Sequence, residues 1–131
     1  LKNVRFLRTQ IEFLPFCFSE EEVSELWITF PDPQIKYRRR KKRLTALNML
    51  NKYKCILKKN AFLHLKTDSQ FLHGYTLGVL EKLEANIIVA SHDIYNSNLM
   101  YEGHVLKIKT FYEKKFLKNK KPITYICFQI N

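Results

Sequence analysis

Residues 26–45 read LWITFPDPQIKYRRRKKRLT. Leu26 to Phe30 form an unbroken apolar run that stops at Pro31, the pattern of a parallel strand buried on both faces. Asp32 follows between two prolines with locked φ angles, so a stiff loop presents a carboxylate just past the strand. Seven of the eight residues from Lys36 to Arg43 are then basic. Charges packed this densely repel one another, and a bound polyanion relieves that repulsion; a solvated loop or targeting patch is the bland alternative. Phosphate contacts give affinity and register without reading bases, so another feature must choose the target.

Working outward, the pattern alternates strands and helices. Val4 to Leu7 is a short apolar strand candidate, Ile11 to Phe18 a short helix or turn interrupted by Pro15, and Ser19 to Glu22 an acidic connector. From Leu44 to Lys58, Ala46, Leu50, Tyr53 and Leu57 recur at helical spacing, with Thr45 as a cap. Ala61 to Leu65 is a second strand, running into Asp68. A helix over Gln70 to Glu84 presents Phe71, Tyr75, Gly78 and Val79 on one side, with Asp68 or Ser69 as its cap. Ile87 to Ala90 is a third strand, followed by a polar loop through Ser91, Asp93, Asn96, Ser97 and Asn98. Lys107 to Lys118 reads as a helix with Ile108, Phe111, Tyr112 and Phe116 as its apolar members. Pro122 ends it, and Thr124, Ile126, Phe128 and Ile130 alternate in a last strand. This order is the α/β signature.

The 131 residues and 46% hydrophobic content suit one domain, and a formal charge of +11 makes an anionic partner the first expectation, nucleic acid ahead of membrane. No stretch reaches the roughly 18 apolar residues of a membrane span, and the N-terminus lacks a signal-peptide core, so a soluble, cytoplasmic protein is expected. The chain starts at Leu1 rather than Met and reads as a piece of a longer protein. Cys17, Cys55 and Cys127 are unpaired by spacing and are expected as reduced thiols in a core. The four histidines, His64, His73, His92 and His104, have no ligand spacing, so no metal is expected. Three glycines provide no Gly-rich cofactor loop.

In open α/β sheets, ligands bind beyond the carboxyl ends of the strands. Asp32 and Asp68 both lie just past strands and would face one crevice, although a turn residue and a helix cap are the plain structural alternatives.

FPDPQIKYRRRKKRLT resembles the signature of the bacterial tRNA (guanine-N7)-methyltransferase family, in which F-x-D-P-x-x-K precedes a basic stretch. Further blocks follow in the family's order: HLKTDS at 64–69, Tyr75, HDIYNSN at 92–98, and IKTFYEKKF at 108–116, similar to the family's T-x-[FY]-E motif. The likeness covers nearly the whole chain and corresponds to the C-terminal two-thirds of such an enzyme. It implies a partial Rossmann-like class I methyltransferase sheet lacking the N-terminal cofactor-loop strands. It further implies that S-adenosylmethionine methylates N7 of a guanine in the tRNA variable region.

Carried over residue by residue, Asp32 matches the active-site acid, which also lies beside the cofactor. Lys36 and Asp68 match substrate-binding positions, and Thr110, Phe111, Tyr112 and Glu113 match the C-terminal substrate motif. Arg38, Arg39, Arg40, Lys41, Lys42 and Arg43 match the stretch assigned to tRNA contact. Gln10 stands where many relatives carry a cofactor-contacting acid. Lys59-Asn60 replace a frequent Gly-Gly, where Asn can take a left-handed turn, and Gln34 replaces an aromatic.

Guanine N7 has its own lone pair, so methyl transfer needs alignment more than a strong base. A carboxylate at Asp32 or Glu113 would stabilise the base as it becomes cationic, or accept from its N1–H and amino edge. The rival readings are a non-catalytic RNA-binding α/β module, a class I methyltransferase with another substrate, and a basic structural protein without a site. The sequence leaves the oligomeric state open.

Overall fold

The computed structural model describes residues 1–97 and 103–131; of His104 only the backbone is described. Asn98, part of the polar loop expected from the sequence, lies outside the described residues. A 3-10 turn at Ile11–Phe13 leads into α1 (Leu14–Cys17), followed by β1 (Val23–Thr29). The basic run forms a second 3-10 segment, Tyr37–Lys42. Then come α2 (Leu47–Ile56), β2 (Leu57–Thr67), α3 (Gln70–Lys82), β3 (Asn86–Ser91), α4 (Gly103–Lys107), α5 (Phe111–Lys118) and β4 (Thr124–Gln129).

The four strands lie in the order β1-β2-β4-β3. β1 and β2 are parallel, while β4 runs antiparallel to both β2 and β3. Inserting β4 the other way round leaves β1, β2 and β3 pointing in one direction. Their carboxyl ends therefore share one edge, onto which Asp32, Asp68 and the loop after Ser91 open.

Two layers cover the sheet, because successive side chains of a strand point to opposite faces. Ile28, Leu63, Leu65, Ile126 and Phe128 face α2 and α3 and pack with Met49, Leu50, Tyr53, Leu72 and Leu80. Tyr125 and Cys127 point the other way, where they meet Ile94, Val105 and Ile123 with Trp27, Val89 and Phe116 around them.

Several local expectations change. Val4 to Leu7 forms no strand, having no neighbour to pair with, and Phe6 is fully exposed. β1 is parallel but lies at the sheet margin, so Ile28 is its one buried residue rather than both faces being covered. Ala46, not Thr45, occupies the cap position of α2; the Thr45 hydroxyl is buried and shares a 2.7 Å bond with that of Thr76. α3 is capped by Ser69, whose Oγ accepts from the Leu72 N–H at 3.1 Å, and it buries Leu72, His73, Thr76 and Leu80 while Phe71 stays largely exposed. The helix expected over Lys107 to Lys118 breaks at Ile108–Thr110 into α4 and α5. Cys17 and Cys55 are exposed and only Cys127 is buried; an apolar neighbourhood in sequence is not a buried face on a helix. Asn60 takes φ 61°, the left-handed turn expected where Gly is frequent.

Candidate active site

The loop after β1 is stiffer than its prolines alone would make it. Phe30 and Gln34, on either side of Pro31-Asp32-Pro33, adopt positive φ of 49° and 48°. For non-glycine residues such angles persist only where surroundings enforce them. The enforcing contacts are visible. The Phe30 N–H donates to the Lys66 carbonyl at 2.8 Å, and the Gln34 N–H donates to Asp32 Oδ1 at 2.9 Å. The Arg43 guanidinium donates to the carbonyls of Gln34 and Ile35 at 3.1 and 3.3 Å. Asp32 itself remains exposed at the carboxyl edge.

Arg43 therefore departs from its expected role. It is buried, with its guanidinium 4.8 and 4.5 Å from the ring centres of Phe71 and Tyr75. A planar cation held between carbonyls and aromatic faces has no side left for a phosphate, so Arg43 fastens the loop instead. The other cations do face outward. Lys36, Arg38, Arg39, Lys41 and Lys42 are exposed, and Arg40 is partly covered by lying 4.0 Å from the Tyr37 ring centre.

On the α5 side of the sheet a cleft of about 270 Å³ is lined by Trp27, Thr29, Lys66, Ile108, Thr110 and Glu113. Trp27 and Ile108 give it apolar walls, and Glu113 gives it charge. Glu113 is fully buried and paired with Lys66, Nζ to Oε1 2.7 Å, with both side chains at most 2% exposed. The Tyr95 hydroxyl also donates to Glu113 Oε1. Burial first, then the bond to and charge of Glu113, push the Tyr95 hydroxyl well above its ordinary value, so it stays a donor. Lys66 uses its other protons on the carbonyls of Val105 and, at 3.3 Å, Ile108, where α4 ends. Glu113 Oε2 is buried with no hydrogen-bond partner among the described residues.

Thr110 caps α5, its Oγ1 accepting from the Glu113 N–H at 3.2 Å. Phe111 and Tyr112, grouped with it by the sequence, project from the outer face of α5, 76% and 57% exposed. The expected polarity of this helix holds only in part: Phe116 packs inward as expected, but the carboxylate is its one buried residue and Phe111 and Tyr112 face outward. Asp68 is partly buried at the same edge, 3.7 Å from Lys121 Nζ.

Along the free side of β1 runs a second groove of about 410 Å³, between Ile11 and Leu14 on one flank and Leu44 and Pro31 on the other. Gln10 and Asp32 each neighbour one of its lining residues in sequence. A mostly apolar groove lined also by the Glu25 carboxylate fits one flank of an adenosyl group carrying a cationic centre. Among the described residues no group of three or more His, Cys, Asp or Glu is placed to hold a metal, and no helix is long and apolar enough to cross a membrane.

A family model described as "Putative methyltransferase" matches residues 1–126. The chain belongs to this methyltransferase family. A protein of Christiangramia forsetii named tRNA (guanine-N(7)-)-methyltransferase is 55% identical over 130 residues, covering 99% of this chain and 58% of the relative. Proteins of the same name from Bacteroides thetaiotaomicron and Porphyromonas gingivalis are 41% and 42% identical, covering 99% and 98% of this chain and 50% and 51% of their own lengths. The chain thus spans about half the length of these curated relatives.

Within this methyltransferase family the four strands form a partial Rossmann-like α/β sheet. The sequence missed Lys66, which forms a buried ion pair with Glu113 at the cleft, and Tyr95, whose hydroxyl donates to the same carboxylate. A signal existed for Lys66: His64 and Lys66 alternate with Leu63 and Leu65, so the end of an apolar strand is polar on one face. For Tyr95 there was none, since its partner comes from a helix beyond the loop.

Proposed function

We propose that the chain is the C-terminal part of the catalytic domain of a tRNA (guanine-N7)-methyltransferase, taking a methyl group from S-adenosylmethionine to a guanine of the tRNA variable region. The observation that carries this reading is the shared carboxyl edge. There one stiff loop holds an exposed carboxylate and runs directly into an exposed cationic turn, beside a part-apolar cleft containing a buried glutamate. The names of the relatives support the same substrate.

S-adenosylmethionine, when bound, supplies a methyl group on a cationic sulfonium. Asp32 and Gln10, each next in sequence to a residue that lines the groove along β1, would meet one flank of it, with Asp32 also facing the base. The exposed cations Lys36, Arg38, Arg39, Arg40, Lys41 and Lys42 take the phosphates, which set register but not base identity. Trp27 and Ile108 flank the flat base, and Glu113 accepts from its N–H edge. Asp68, at the same edge, and the outward Phe111 and Tyr112 extend the contact to neighbouring nucleotides, the aromatics by stacking. Because N7 attacks with its own lone pair, Asp32 serves to orient the reactants and to stabilise the cationic base as it forms.

In the full-length protein, Asp32→Ala should lower methyl transfer to tRNA by at least about a hundredfold while tRNA affinity stays within about threefold. Tritium transfer from the donor and filter binding read the two quantities. A variant with near wild-type turnover would remove Asp32 from the chemistry. Neutralising Lys41 and Lys42 should do the converse, weakening binding and reducing the slope of log affinity against log salt by roughly one to two.

A further inference from the structure

Glu113 occupies the third helical position after Thr110, the spacing at which a glutamate ordinarily folds back to accept from the cap residue's own N–H. Only half of that box is made. Thr110 Oγ1 accepts from the Glu113 N–H, but the Glu113 carboxylate is turned into the protein, where Lys66 and Tyr95 both bond to the same oxygen, Oε1. Two donors on one oxygen fix the plane of a carboxylate. They also leave Oε2 buried without a partner among the described residues, beside an open cleft. A buried carboxylate oxygen left unpaired is costly, so one in a cleft wall calls for a donor from outside the chain, a water or a ligand. Lys66 is equally committed, since it holds the carbonyls of Val105 and Ile108 and so fastens the cleft wall to the strand that carries the ammonium.

We propose that Lys66 is a positioning residue for base identity. By saturating Oε1 together with Tyr95, it leaves Oε2 as the single acceptor offered to the cleft, in register with the amino edge of a purine. This inference rests on the reading of the cleft as the target-guanine site. A guanine offers the 2-amino group as well as N1–H at that edge, whereas an inosine offers N1–H alone. One fixed acceptor discriminates between them; a swivelling carboxylate that can present either oxygen at several angles does not.

The test uses the full-length protein and two tRNA transcripts that carry guanosine or inosine at the methylated position, with the kcat/KM ratio as readout. Wild type should prefer guanosine by roughly tenfold or more. Lys66→Met should bring that ratio to within about twofold, and Glu113→Gln/Lys66→Met should resemble Glu113→Gln alone, because Lys66 acts through the glutamate. Should Lys66→Met fail to fold, Lys66→Gln, which keeps donors for the two carbonyls without the charge, carries the same prediction. A Lys66 variant that melts at lower temperature yet keeps the wild-type guanosine preference would make Lys66 a strut and overturn the proposal. A wild-type protein that transfers no methyl group to tRNA would instead bring down the reading of the cleft, and this inference with it.

Discussion

The two faces of the sheet are built from the same strands and solve opposite problems. Toward α2 and α3, Leu63, Leu65, Ile126 and Phe128 meet leucines, a methionine and an aromatic ring, and the face is almost all hydrocarbon. Toward α4 and α5, the alternate residues of the same strands include His64, Lys66 and Tyr125, and the layer above them contributes Glu113. His64 is stacked on Trp27 with ring centres 4.0 Å apart, and it bonds Tyr125 at 2.7 Å and Glu25 at 2.8 Å. One face gains stability by removing apolar surface from water. The other accepts the desolvation of charges, which a buried ion pair rarely repays over a hydrocarbon replacement. A molecule that places that burden beside a cleft has a use for the charge.

That contrast breaks most visibly at the ion pair. Glu113→Ala leaves the Lys66 ammonium buried and uncompensated, and should destabilise the full-length protein by about 3–5 kcal/mol. Replacing both partners, Lys66→Met with Glu113→Leu, should recover most of that stability and none of the activity. Urea unfolding and methyl transfer measured on the same samples check the two halves, and a double variant as unstable as Glu113→Ala would mean the pair is a net stabiliser. On the apolar face, Leu65→Ala should cost about 2–5 kcal/mol through lost burial and the cavity it leaves. The folded protein that remains should keep its activity, since Leu65 points away from the cleft.

The same contrast explains what could be read from the sequence. Strands and helices on the apolar face were legible because periodicity reports one thing, contact with hydrocarbon. Leu50 and Tyr53 fall on α2 with Ala46 as its cap, and Ala61 to Leu65 fall within β2, but Leu57, expected on the same helical face, instead begins β2. On the polar face the same rule misled. Of the apolar members Ile108, Phe111, Tyr112 and Phe116, only Phe116 packs into the core; Phe111 and Tyr112 point outward and Ile108 lines the cleft while Glu113 is buried, because the buried partner is an ammonium on a distant strand. Arg43 was illegible for the same reason. In sequence it closes a basic run, but its charge is taken up by two loop carbonyls and two rings brought in by α3. Asp32 stands out in the sequence because Pro-Asp-Pro is a local signal that needs no partner, and it lies exposed in a loop held by Gln34 and Arg43.

Acid sharpens the comparison on the other side of the sheet. His73, on α3, is buried, and burial together with the neighbouring His92 lowers its pKa from 6.5 to about 4. Between those values the unfolded chain binds more protons than the folded one. Stability from keeping His73 neutral is therefore complete above about pH 6.5 and is lost as pH falls toward 4, by on the order of 1–3 kcal/mol. His73→Leu should flatten this limb of the urea midpoint against pH. If the limb persists unchanged, another group is responsible for it.

The smallest effect separates the faces most cleanly, because each has one capped helix of similar design. Ser69 accepts from the Leu72 N–H at the start of α3, and Thr110 accepts from the Glu113 N–H at the start of α5, at 3.1 and 3.2 Å. Either residue changed to Ala should cost about 1 kcal/mol, since each leaves one amide without its acceptor. The functional consequences should differ. The amide that Ser69 holds belongs to Leu72, a core residue locked by its neighbours, so Ser69→Ala should alter melting alone. The amide that Thr110 holds belongs to Glu113, whose carboxylate must stay in plane for Oε2 to face the cleft. Thr110→Ala should therefore lower methyl transfer by several-fold at matched folded fraction, and equal activity in the two cap variants would mean that Lys66 and Tyr95 alone hold the carboxylate.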